Sequence, residues 1–182
     1  TMFGVTTPCV TKVRERLESY GYEVITFHAT GTGGRAMEGL IADGYVKAVA
    51  DITTTELADE LVGGVLSAGK TRLEMAGQLS IPQVVSLGAL DMVNFWALST
   101  IPEKFRSRNL YKHNDNVTLM RTSIEENEQL GQMIAQKLNQ SKGKTTLVIP
   151  LKGVSMIDAE AKPFYDPEAD KALITALHKH LN

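Results

Sequence analysis

Two rhythms of apolar and polar positions alternate along the chain, one of period two and one of period 3.6, and together they predict repeated strand–helix units. Residues 2–6 read as a short strand, after which Thr7 and Pro8 supply a cap and a first-turn proline. Val10, Val13, Leu17 and Tyr20 then recur at helical spacing, with Lys12, Arg14, Arg16 and Glu18 on the opposite face. Gly21 stops that helix. Residues 23–27 read as the second strand, a glycine cluster leads into a helix over 35–42, and residues 46–52 give the third strand, with a helix from about Thr54. A helix near 72–79 precedes a compact strand at 82–86. Thr122 and Ser123, each three residues before a glutamate, open a long helix to about Leu138. Residues 145–149 form another strand, and Asp166 with Pro167 caps a final helix to about His180.

Strands alternating with helices imply right-handed crossovers. The expected fold is therefore α/β, a Rossmann-like three-layer sandwich with a mainly parallel sheet, in one domain over residues 1–182. Two long connections, 87–111 and 150–165, are expected to serve as functional rims or lids.

Composition narrows the function classes. The 182 residues carry 19 Lys plus Arg against 21 Asp plus Glu, so no basic surplus exists to neutralise phosphates along a nucleic acid. No apolar run has the length of a membrane span and no signal peptide is visible. A single cysteine, Cys9, excludes a disulfide framework within the chain and suits a reducing, cytoplasmic compartment. The four histidines lack the spacing of a metal site, so no metal is expected.

In an open parallel sheet, ligands bind beyond the carboxyl ends of the strands. The loop after the second strand, His28-Ala29-Thr30-Gly31-Thr32-Gly33-Gly34-Arg35, combines backbone freedom, a helix N-terminus, two hydroxyls and a guanidinium. Those features suit an anion, although the same glycines also serve tight strand–helix packing. Thr53, Thr54 and Thr55 end the third strand. Thr53 with Glu56 fits a capping box, and the hydroxyls are equally candidates for a phosphate or ribose. Asp91 and Asn94 follow the strand at 82–86, with Phe95 and Trp96 beside them as candidates to stack on a planar ligand. Cys9, in the first turn of a helix, and His113, in a polar turn, are the candidate catalytic residues; the alternative for Cys9 is a small buried apolar side chain. The apolar, glycine-rich stretch 61–69 is a candidate subunit contact in a homo-oligomer.

Gly4 through Val10 and residues 28–40, 51–64, 82–95 and 113–122 resemble the C-terminal half of the Tm-1-like ATP-binding (UPF0261) family, and together they span most of the chain. The resemblance implies a two-domain protein of roughly twice this length, each half an α/β domain, and an association with ATP. The expected function is binding of ATP or another phosphate-bearing ligand at the C-terminal edge of the sheet, in a site shared with the protein's own N-terminal domain. The alternatives are an enzyme acting on a small carboxylate or phosphate substrate through Cys9 or His113, and a scaffold whose loops are merely structural.

Overall fold

The computed structural model describes residues 1–182. Its elements run α1 (Thr7–Ser19), α2 (Thr32–Ala42), β1 (Val49–Thr53), α3 (Glu56–Val62), α4 (Met75–Gln78), β2 (Gln83–Gly88), β3 (Met92–Phe95), β4 (Leu110–Lys112), β5 (Thr118–Arg121), α5 (Ile124–Asn139), β6 (Thr145–Val148) and α6 (Pro167–His180). The fold is α/β. A parallel sheet in the order β1-β2-β6 forms its centre. Beyond β1 the chain continues the sheet without regular ladders. Thr1 N donates to Ala50 O, and Met2 makes an isolated parallel bridge with His28.

Val85 and Leu87 of β2 bury one face of the sheet against Leu57 of α3 and Leu130 and Ile134 of α5. Helix α6 stacks behind α5 through Leu173 and Leu177. On the opposite face Val84 and Val148 stay largely exposed. Both long helices are capped as their sequences predict. Ser123 and Glu126 form a reciprocal capping box on α5, and the Asp166 carboxylate accepts from the Ala169 amide on α6. No helix is long and apolar enough to cross a membrane.

Several elements differ from the sequence expectation, each for a local reason. Only Met2 of the first predicted strand pairs. The Phe3 amide bonds Thr6 Oγ1 and the Thr6 amide bonds Phe3 O, curling residues 4–6 into a 3-10 turn. Residues 23–27, expected as the second strand, sit in no ladder. The helix expected from Arg72 begins at Met75, because Arg72 is anchored in a buried ion cluster and Leu73 is forced to φ 75°. Such a left-handed conformation costs a non-glycine residue about 1–2 kcal/mol. The connection 87–111 is not structureless. Together with 112–121 it builds a second, antiparallel sheet in the order β3-β5-β4.

Candidate functional site

The end of β1 and the start of α3 carry carboxylates, and both are consumed by one buried cation. Arg72 grips Asp51 with two guanidinium nitrogens, one at 2.7 Å, and places Nε 2.7 Å from Glu56 Oε2. Glu38 of α2 lies 3.5 Å from the same guanidinium and accepts from the Leu73 and Met75 amides. Burial by itself would raise the Asp51 pKa, but Arg72 outweighs it and holds the carboxyl below its usual range. For Glu38 burial wins over Arg72, and its pKa rises. Arg72 stays charged because Asp51 and Glu56 outweigh its own desolvation.

Glu56 connects this cluster to the glycine loop. Its Oε1 accepts from the amides of Gly31, at 2.7 Å, and Gly34, at 3.1 Å. The loop thus turns its N–H groups toward an anion, and that anion is the chain's own carboxylate. Gly31 has φ 81°, and a Cβ there would stand 2.7 Å from Ser67 O; a Cβ on Gly34 would run into the Glu56 carboxylate. The capping box expected between Thr53 and Glu56 is absent. The N-cap of α3 is Thr55, whose hydroxyl pairs with Met92 O and Asn94 Nδ2 instead of capping the helix, and Glu56 is committed to Arg72 and the loop.

Above the loop lies a cleft of about 600 Å³. The α2 N-terminus (Thr30 to Thr32, and Arg35) forms one wall, the turn Val65-Leu66-Ser67 another, and the β4–β5 turn with His113 and Asn114 a third. Phe3 and Val5 line it, and Trp96 stands exposed beside it. Arg35 is held over the cleft by donating to Ser67 O at 2.8 Å, which leaves the rest of its guanidinium uncommitted. The amides of Thr32 and Gly33 make no hydrogen bond within the chain. No acidic residue lines the cleft; its titratable residues are Arg35 and His113.

Of the residues expected to bind ligand, the structure brings Thr30, Gly31, Thr32 and Arg35 together in this cleft, and adds His113 and Trp96. Gly33 and Gly34 sit one step behind, in the first turn of α2. His28 is exposed beside the Met2 bridge and does not line the cleft. Thr53, Thr54, Thr55, Asp91 and Asn94 are fully buried and turned away from it. Thr53 Oγ1 pairs with Thr6 Oγ1 at 2.8 Å, Thr54 Oγ1 donates to Ser86 O and Thr55 Oγ1 to Met92 O. Cys9 is an exposed thiol on α1, outside the cleft, rather than a buried apolar residue.

Asn94 has a different partner, Asp59 on α3. The Asp59 carboxylate accepts from Asn94 N at 2.9 Å and Asn94 Nδ2 at 2.6 Å, and more weakly from the Leu66 amide. Asp59 therefore ties the Val65–Ser67 wall of the cleft to β3. It has no cation beside it, and burial pushes its pKa up to about 7. Asp91 accepts from Ser155 Oγ at 2.8 Å, and burial raises its pKa to about 6. A further cluster, unforeseen from sequence, fastens the connection 150–165. Arg121 Nε donates to Phe164 O, and its Nη2 reaches Asp158 and Asp170. No motif marks that cluster, since its members lie 37 and 49 residues from Arg121.

The whole chain, residues 1–182, matches the model of the uncharacterised protein family UPF0261, C-terminal domain. A UPF0261 protein of Clostridium tetani is 61% identical over all 182 residues, which make up 45% of that protein's length. A UPF0261 protein of Rhizobium meliloti is 52% identical over 182 residues, 46% of its length. The ToMV resistance protein Tm-1(GCR237) of Solanum lycopersicum is 51% identical over 177 residues, covering 97% of this chain and 24% of the plant protein. The chain thus spans less than half the length of these relatives. On the match along its full length, it belongs to the UPF0261 family, in the region of the family's C-terminal domain.

Proposed function

We propose that this domain binds a small anionic ligand, a nucleotide or another phosphate-bearing molecule, in the cleft between the α2 N-terminus and the β4–β5 turn. The observation that carries the reading is the chemistry of the lining: Arg35, His113 and the uncommitted Thr32 amide share a lining that holds no carboxylate. A helix N-terminus adds partial positive charge at that point, and an arginine matches phosphate or carboxylate bidentately. Trp96 offers a planar face for a base, and about 600 Å³ lies within the range of small-molecule sites. The relatives' greater length supports a site completed by a further domain. The exposed thiol of Cys9 supports a reducing, cytoplasmic setting.

Calorimetric titration of the full-length protein with ATP, ADP and inorganic phosphate tests the reading. Arg35→Ala removes a charge-assisted contact of about 1.5–3 kcal/mol, so affinity should fall roughly 10- to 100-fold. Unchanged affinity in Arg35→Ala, or no binding of any of the three, would overturn it. The enzymatic alternative now rests on His113, which the cleft contains, rather than on Cys9, which lies outside it. A pH–rate profile that loses its inflection in His113→Gln would favour that alternative.

A further inference from the structure

A groove of about 880 Å³ has residues 22–26 on one wall and 45–50 on the other, and extends over Val84 and Thr146 of the sheet. Neither wall is paired along it. The amides of residues 23–27 and of Val46, Lys47 and Ala48 make no backbone hydrogen bond, although 104 such bonds exist in the chain. Backbone amides without a partner in the chain, beside an apolar surface, present the kind of edge that pairs with an added strand. The groove is also apolar where a sheet would be, lined by Val10, Val13 and Leu17 of α1 beneath and by Val24, Ile25 and Ile52 from the walls.

At one end of this groove the two walls are already joined through a single strand's width of chain. Met2 N donates to Phe27 O and Ala29 N donates to Met2 O on one side, while Thr1 N donates to Ala50 O on the other. The Met2 pair is the bonding of a parallel bridge, and the Thr1 bond is the backbone contact to the other wall. The same pattern continued along the groove would use the backbone groups of Phe27 and Ile25 on one wall and of Ala50 and Ala48 on the other.

From these observations we infer that the groove takes one further β-strand, parallel to both walls and in line with Thr1 and Met2, from the longer polypeptide of which the UPF0261 relatives are examples. About four residues would fill it, at roughly 3.3 Å per residue along the wall from Val24 to Phe27. The occupant is assigned to the same polypeptide because the relatives carry more than half their length outside the matched region. Strand addition gives that further region a mechanical hold on this domain: it would complete a five-stranded parallel sheet whose carboxyl edge carries the ligand cleft.

Residue-resolved amide exchange on the full-length protein tests this, at two protein concentrations about 100-fold apart. Strand addition predicts alternation. Ile25, Phe27 and Ala48 should exchange at least about 100-fold more slowly than the exposed turn at 114–116, while Val24 and Thr26, which face the other way, stay fast. Alternating protection that is independent of concentration supports the inference. Fast exchange at Ile25 and Phe27 would overturn it, as would uniform protection of 23–27, which signifies coverage without pairing. Protection only at the higher concentration would assign the groove to a second copy of the protein and overturn it too.

Discussion

Replacing Arg72 with methionine should destabilise the protein by about 3–5 kcal/mol at pH 7, the usual cost of leaving buried ions without their partner. The side chain keeps its bulk, so the loss is electrostatic. Summing the guanidinium's contacts would overshoot, because Asp51 and Glu56 have an escape: each can take up a proton. For a carboxyl that titrates near 3.9–4.3 in the unfolded chain, that escape costs at most about 1.36 kcal/mol for each pH unit above its reference pKa, or roughly 4 kcal/mol at pH 7. Two carboxylates set a ceiling of about 8 kcal/mol. Each retains some solvation, Glu56 from the Gly31 and Gly34 amides and Asp51 from Thr1 Oγ1, which brings the value back toward 3–5.

The escape argument also fixes the pH dependence. In the native protein the Asp51 pKa is depressed, so its contribution is present above the unfolded value near 3.9 and is lost as pH falls through the folded pKa. Without Arg72 the carboxyl pKa values rise above their unfolded values, and stability is instead lost as pH rises. At pH 5 the ceiling per carboxyl shrinks to about 1–1.5 kcal/mol. Urea titrations followed by circular dichroism at both pH values measure the difference. At about 2 kcal/mol per molar urea, the midpoint should drop by roughly 1.5–2.5 M at pH 7 and by clearly less at pH 5. A loss below about 1 kcal/mol, or one of equal size at both pH values, refutes the reasoning.

Two further outcomes follow from buried groups near the cleft. Asp59, with its pKa raised to about 7, is easiest to accommodate below its unfolded value near 3.8; its contribution is lost as pH rises from about 4 through 7, so Asp59→Asn should flatten the fall in stability between pH 5 and 8, and an unchanged pH profile of the urea midpoint would contradict this. Gly34→Ala drives a methyl into the Glu56 carboxylate and should cost about 2–4 kcal/mol, whereas Gly39→Ala in the same helix meets nothing within 4 Å and should gain up to about 1 kcal/mol in the same thermal-melt series.

Elements whose signals are local were legible in the sequence. The capping box Ser123–Glu126, the Asp166–Pro167 start of α6 and the apolar runs of β2 and β6 all appear where the pattern puts them. What stayed hidden was set by distant partners. All four residues of β3 are buried, as are all four of β5, so neither shows the period-two alternation that announces a half-exposed strand. Thr53 and Glu56 carry a capping signal, yet the Arg72 charge, 16 residues away, takes Glu56 for itself. The site shows the same division. Thr30, Thr32, Arg35 and His113 could be nominated because their types suit an anion. Strand-end position alone could not show that Thr53 to Thr55, Asp91 and Asn94 turn inward to pair with Thr6, Ser86, Met92, Ser155 and Asp59.

The carboxylate held by the glycine loop bears on what the cleft above it can select. Glu56 occupies the Gly31 and Gly34 amides from below, and Arg72, not solvent, balances its charge. The loop is therefore shaped by the chain's own carboxylate, and on the proposed reading an anion would order little of the protein on binding. On the proposed reading the donors left for an anion are the Thr32 amide, at the N-terminus of α2, and the free part of the Arg35 guanidinium. Glu56 lies behind these donors and outside the lining, and its repulsion of a second anion is largely neutralised by Arg72. Removing the Arg72 charge should therefore weaken the proposed anion binding as well as stability. Conservative replacement by lysine, which keeps the charge but loses the bidentate grip on Asp51, separates the two effects: folding should suffer while phosphate affinity in the remaining folded protein changes little.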